Sequence, residues 1–185
     1  LDSELIAALP RQLTYIDVSD MPVSLEAAAN GFFPPQLTFF AARNELRVTP
    51  SCHLNLLPAS LKTLIVTDIT WKDENMSPSD VMSSLSGFTA LTRLEVRTLT
   101  EVSALPTVLP ASLLTLHWKH MGSLLDKHLL ALPTQMHQLI IEANSLSTLS
   151  EAGFASACSR LKTLTSLRLS APADQVPSTF LQHLP

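Results

Sequence analysis

The chain has 185 residues and a mass of 20.1 kDa, the size of a single domain. Charged residues are 15% of it, against roughly 25% in an average soluble domain, and the net charge of −4 with a pI near 5.8 leaves no basic footprint for nucleic acid. An apolar content of 46% at so low a net charge excludes disorder, and four widely separated glycines exclude a Walker-type phosphate loop and a dinucleotide-binding glycine fingerprint.

Cys52 and Cys158 are too few and too far apart for a disulfide framework. No run of about 18 apolar residues is present, so no membrane insertion by this segment is expected. The opening Leu1-Asp2-Ser3-Glu4 lacks the basic region of a signal peptide. The sequon Asn75-Met76-Ser77 is followed by Pro78, which makes it a poor acceptor.

Along the chain one frame recurs, L-P-x-x-L-x-x-L-x-V. It begins at Leu9, Phe33, Leu57, Gly87, Leu109, Leu132 and Arg160, with a truncated copy at Leu184, and the intervals are 24, 24, 30, 22, 23, 28 and 24 residues. Its first apolar slot holds Leu13, Leu37, Leu61, Leu91, Leu113, Met136 and Leu164. The second holds Ile16, Phe40, Leu64, Leu94, Leu116, Leu139 and Leu167; the third holds Val18, Ala42, Val66, Val96, Trp118, Ile141 and Leu169. All are apolar, an outcome of chance odds ~10⁻⁷ at this composition. The last two slots stand two apart, the alternation of a strand with one buried face. Strands are predicted near 14–19, 38–43, 62–67, 92–97, 114–119, 137–142 and 165–170.

Helices are predicted between some of them. Leu25 to Asn30, stopped by Gly31, reads as a short one. Ser77-Pro78 opens another, with Val81, Leu85 and Phe88 on one face. Leu124 to Ala131 follows Ser123, and Ser150-Glu151 starts the last, with Ala155, Cys158 and Leu161 inward. Residues 45–56 and 99–108 read as extended or single-turn. Trp118 fills a core slot, and Trp71 falls in a loop after a strand. The chain opens inside one copy and ends as another begins, so a fragment of a longer array is expected.

The period with L-x-x-L-x-L resembles the leucine-rich repeat family over nearly the whole chain. Met136 to Leu146 fits that consensus best, including Asn144, but the same slot elsewhere holds Met21, Glu45, Ile69, Leu99, Met121 and Pro172. The L-P-x-S-L-x-x-L opening is similar to the FNIP-type branch, although the F-N-Q-P element of that branch is missing. The resemblance implies an α/β, leucine-rich-repeat solenoid of about seven repeats, a curved horseshoe. Its parallel sheet would be concave, with short helices and turns on the convex side.

In such an array the positions between buried slots form the concave face. Tyr15 and Phe39 sit side by side there. Arg43, Arg93, Arg97, Lys119 and Arg168 gather toward the middle and the C-terminal part, with Asp17, Glu95, His117 and Glu142 among them. Exposed aromatics and arginines are the residue types that anchor interfaces. Other chemistry finds no constellation. His117-x-x-His120 on a strand points its rings to opposite faces, and His128 and His137 add no carboxylate or thiol set. Cys52-His53 has no third orienting group, and Cys158 falls on a helical core face. No metal, cofactor or catalytic residue is expected.

The function expected is protein–protein recognition on the concave face, by an intracellular adaptor or substrate-recognition arm. The missing cap cysteines favour the cytoplasm over the cell surface. The alternatives are an ectodomain fragment of a surface receptor or adhesin, and a scaffold arm of an enzyme whose catalytic domain lies elsewhere.

Overall fold

The computed structural model describes residues 3–25, 33–48, 54–71, 84–98, 108–171 and 182. Each copy of the frame enters its strand through one kind of turn. The N–H groups of Leu13, Leu37, Leu61, Leu91, Leu113, Met136 and Leu164 donate to the carbonyl three residues earlier, at 3.0–3.3 Å. In five copies that acceptor is the proline of the L-P pair: Pro10, Pro34, Pro58, Pro110 and Pro133. Proline fixes its own φ here and leaves no N–H to satisfy. In the other two it is Phe88 and Leu161.

Past the turn, one carbonyl per copy ties each strand to the next. Thr14 O accepts the N–H groups of Thr38 at 2.9 Å and Phe39 at 3.1 Å. The same double acceptor recurs at Thr38, Lys62, Thr92, Leu114 and His137. Threonine at this position adds its hydroxyl: Thr38 Oγ1 donates to Thr14 O at 3.1 Å, Thr92 Oγ1 to Lys62 O at 3.2 Å and Thr165 Oγ1 to His137 O at 3.0 Å. A second hydroxyl ladder stands two positions earlier. Ser60 Oγ donates to Leu37 O, Ser112 Oγ to Leu91 O and Thr163 Oγ1 to Met136 O, each at 2.8 Å.

The strands are β1 (Tyr15–Val18), β2 (Val23–Ser24), β3 (Phe39–Val48), β4 (Thr63–Trp71), β5 (Arg93–Thr98), β6 (Thr115–Ser123), β7 (Gln138–Ser145) and β8 (Ser166–Ser170). They form one parallel sheet in the order β1-β3-β4-β5-β6-β7-β8, with β2 pairing beside β1 on β3. The fold is α/β, with the sheet curled into a half-barrel. The pairing sets the second slot in one line, Ile16–Phe40–Leu64–Leu94–Leu116–Leu139–Leu167, and the third slot in another, Val18 through Trp118 to Leu169. Both lines lie in one hydrophobic core, half-buried only toward the two ends of the sheet. Full burial of each such side chain stabilises by about 1.5–3 kcal/mol.

Four strands run beyond the six residues expected of each. β3 and β6 pass a register shift, between Ala42 and Glu45 and between Trp118 and Met121, and pairing then resumes. Leu46 pairs with Val23 on one side and Ile69 on the other, and all three are buried. The apolar residues past the slots therefore extend the core, and Trp71 closes β4 where a loop was expected. Glu45 and Ile69, in the slot where the family consensus has Asn, are strand residues.

Three helices are described: α1 (Ser3–Ala8), which the frame did not predict, α2 (Asp126–Leu130) and α3 (Glu151–Arg160). α3 starts where expected, with Ser150 Oγ accepting the Gly153 N–H at 2.9 Å. Cys158 and Leu161 are buried as expected, but Ala155 is not. The inward face carries Gly153, Phe154 and Ala157 instead. Leu85 and Phe88 are buried at a single 3₁₀ turn, Ser84–Gly87. Most of the helices expected from Leu25 and from Ser77 lies outside the described residues, as do residues 99–107 and the pair Cys52-His53.

Helices α2 and α3 are locked together by one side chain. Asp126 Oδ1 accepts the Ser150 N–H at 2.8 Å, and its Oδ2 accepts the Ser150 hydroxyl at 2.6 Å. Gly153 makes room for it, because a Cβ there would overlap the Asp126 carboxyl group. Gly153→Ala must displace a carboxylate that holds the cap of the next helix. The expected loss is about 2–3 kcal/mol in urea unfolding, against about 1–2 kcal/mol for Asp126→Ala. The double variant is expected to lose less than the sum of the two, and strict additivity would show that the two residues do not interact.

Candidate functional site

The residues between the buried slots line the other face of the sheet in register. One row reads Tyr15, Phe39, Thr63, Arg93, Thr115, Gln138, Ser166. The next reads Asp17, Ala41, Ile65, Glu95, His117, Ile140, Arg168. Parallel pairing at about 4.8 Å per strand puts each residue beside its counterpart in the neighbouring copy.

At the β1 end, Tyr15 and Phe39 stack with ring centroids 4.2 Å apart and planes 10° from parallel. Tyr15 remains 56% exposed. Its hydroxyl donates to Asp17 Oδ2 at 3.4 Å, the Ser19 hydroxyl donates to Asp17 Oδ1, and Arg43 Nε lies 3.5 Å from Oδ2. These residues form one connected group across β1 and β3.

The second group centres on Glu95, in the middle of the sheet. Although it lies on the face turned away from the core slots, Glu95 is only 5% exposed. Ala41 and Ile65 in the same row are buried as well. The strand alternation gave the face of each residue but not the depth set by its neighbours. Arg97 Nε donates to Glu95 Oε1 at 3.1 Å, Arg93 Nη2 reaches Oε2 at 3.5 Å, and His117 Nδ1 stands 3.7 Å from Oε1. Burial by itself would raise the Glu95 carboxyl, but the Arg97 hydrogen bond and the surrounding positive charge outweigh it and hold the carboxyl below its usual range. For His117, burial works downward, and Lys119 and Arg97 push the same way against the pull of Glu95 and Glu142. The imidazole is therefore neutral at pH 7.

Lys119 Nζ pairs with Glu142 Oε1 at 3.3 Å on the adjoining strands. Arg168 stands apart on β8, joined to neither group. The buried Thr67 Oγ1 and His117 Nε2 have no hydrogen-bond partner among the described residues; His117 is one of the expected site residues, whereas a choice by charge and aromaticity passes over Thr67. Sequence could place Thr67 and Ser19 on this face but gave no sign of their bonding.

The remaining candidates are structural. His128 is 1% exposed at the start of α2, where its Nδ1 accepts the Leu125 N–H at 3.1 Å. Burial, with the Lys127 charge beside it, pushes its pKa down to about 4. His137 is exposed on the turn leading into β7. Burial pushes the Cys158 thiol up, away from the reactive thiolate. Among the described residues no group of three or more His, Cys, Asp or Glu side chains could hold a metal ion, and no helix is long and apolar enough to cross a membrane. No protein-family model matches the chain, and no curated protein matches it either.

Two predictions follow from the titrating groups. His128 takes up a proton more readily unfolded than folded, so its contribution to stability is complete above about pH 6.5 and is lost as the pH falls toward 4, by up to roughly 3 kcal/mol. Urea midpoints taken between about pH 7.5 and pH 4.5 should fall less in His128→Gln than in the wild type, and parallel losses would refute this. Glu95→Gln should cost about 1–2 kcal/mol at pH 7, from its weakened bonds to Arg93 and Arg97. Below the folded-state pKa of Glu95 the two proteins should converge in stability, since the depressed carboxyl contributes only while ionised.

Proposed function

We propose that the chain is a leucine-rich-repeat solenoid whose open sheet face, concave in such an array, recognises a protein partner, as a non-catalytic adaptor or substrate-recognition arm. One observation carries this reading. The stacked Tyr15–Phe39 pair presents more than half of the Tyr15 surface to solvent on a sheet whose opposite face is buried in the core. A large aromatic held rigid by stacking and left uncovered is the residue class that dominates interface energetics. Beside it stand charges held in place by ion pairs, which suit orientation and specificity more than raw affinity. A recognition role also suits side chains already stacked or paired before anything binds, since preorganised side chains lose little entropy on contact.

The reading is tested by quantitative capture from extracts of cells that express the protein. The bait is the full chain, as wild type and as Tyr15→Ala/Phe39→Ala/Arg93→Glu/Arg97→Glu, with folding checked by circular dichroism. A protein retained by the wild type and reduced at least roughly tenfold on the folded variant is the expected result, the loss of one or two hot-spot residues being worth that much. Identical capture by both baits would move the site off this face.

A further inference from the structure

The charges of the open face are sorted by depth. Arg93, Arg97 and Arg43 keep 53%, 43% and 39% of their side-chain surface in solvent, while their partners Glu95 and Asp17 keep 7% and 23%. The carboxylates lie beneath and the guanidinium groups above. The face carries five cations, Arg43, Arg93, Arg97, Lys119 and Arg168, against three carboxylates, with the Arg47–Glu45 pair past the register shift adding one of each, on a chain whose net charge is −4. Its sign is therefore opposite to that of the molecule, and the depth sorting makes the surface met by a ligand more positive than the count suggests.

The donor geometry points the same way. Arg97 turns Nε toward the buried Glu95 carboxylate and Arg43 turns Nε toward the less exposed side of its own pair, the Asp17 carboxylate. Their Nη groups have no partner among the described residues. A guanidinium fixed by one edge offers a planar, pre-oriented fork to a carboxylate from outside, with little rotamer entropy left to lose. The acidic remainder of the molecule disfavours a long polyanion such as nucleic acid, which would meet more of the surface than this face. A short acidic stretch of polypeptide meets only the cations.

Resting on the recognition role proposed above, we infer that the open face binds an extended acidic polypeptide segment, its carboxylates on Arg93, Arg97 and Arg43 and an apolar side chain on the Tyr15–Phe39 stack. The spacing is fixed by the sheet. Phe39 and Arg93 occupy the same row two strands apart, with Thr63 between them. That is about 10 Å, and about 14 Å from Tyr15, or some three to four residues of extended chain at roughly 3.3 Å each. The segment therefore carries its acidic residues three to four positions from an aromatic or aliphatic one.

The probe is a displayed library of random peptides about twelve residues long, enough to cross the seven strands. It is selected in parallel on the full chain, on Arg93→Glu/Arg97→Glu and on Tyr15→Ala/Phe39→Ala, each shown to be folded by thermal melting. On the wild type, Asp and Glu should be enriched at least about threefold over the input, at the stated distance from an apolar residue, and binding should weaken with added salt. On Arg93→Glu/Arg97→Glu the acidic preference should vanish or turn basic. On Tyr15→Ala/Phe39→Ala the apolar position should be lost while the acidic one persists. Neutral or basic peptides selected on the wild type, and lost on the aromatic variant, would overturn the acidic inference and leave peptide recognition by this face standing. Failure of the wild type to select any peptide over the variants would overturn both.

Discussion

One carbonyl per copy sets the geometry of everything else. Thr14, Thr38, Lys62, Thr92, Leu114 and His137 each present their oxygen to two N–H groups of the following strand. A double acceptor at the residue just before a strand admits a single register, and a slip by one residue would turn every buried leucine outward. The common turn before it brings each strand to the same starting point, whether the intervening segment is long or short. The intervals vary between 22 and 30 residues, and the rows of the open face stay aligned all the same.

Within that frame, side-chain hydroxyls tie successive copies together. Ser60, Ser112 and Thr163 reach back to carbonyls of the preceding copy, and Thr38, Thr92 and Thr165 do the same closer to the strand. This gives the abundance of Ser and Thr, in a chain poor in charge, a structural use. Each such bond is worth only about 1 kcal/mol, but buried carbonyls left without a donor would cost more. Asp126 extends the same logic to the helices, by capping Ser150 from the neighbouring copy.

Alignment of the rows also explains the charge arrangement of the open face. Glu95 lies in the middle of the sheet, where neighbouring strands crowd it, and a buried carboxylate needs cations and hydrogen bonds to remain ionised. Arg93 and Arg97 flank it on its own strand, two positions away on either side and so on the same face. Their long side chains reach the carboxylate and still keep their ends in water. The depth sorting is a consequence of side-chain length combined with burial.

The sequence alone determined the pattern that builds the sheet. The three apolar slots, the Pro before five of the strands and the identity of the residues facing the other way are all local, because a strand alternates with a period of two and a turn is chosen by a few neighbouring residues. Ser150 could be read as a helix cap for the same reason. What depended on contacts between copies could not be read. The continuation of β3, β4, β6 and β7, the reach of Asp126 to Ser150 and the burial of Glu95 each require knowing how residues of different copies pack together, and for Tyr15 and Phe39 the alternation gave the adjacency but not the stacking of the rings. Periodicity fixes the direction in which a side chain leaves the backbone. Depth, partners and charge state are properties of the space between strands, and that space exists only once the copies have stacked.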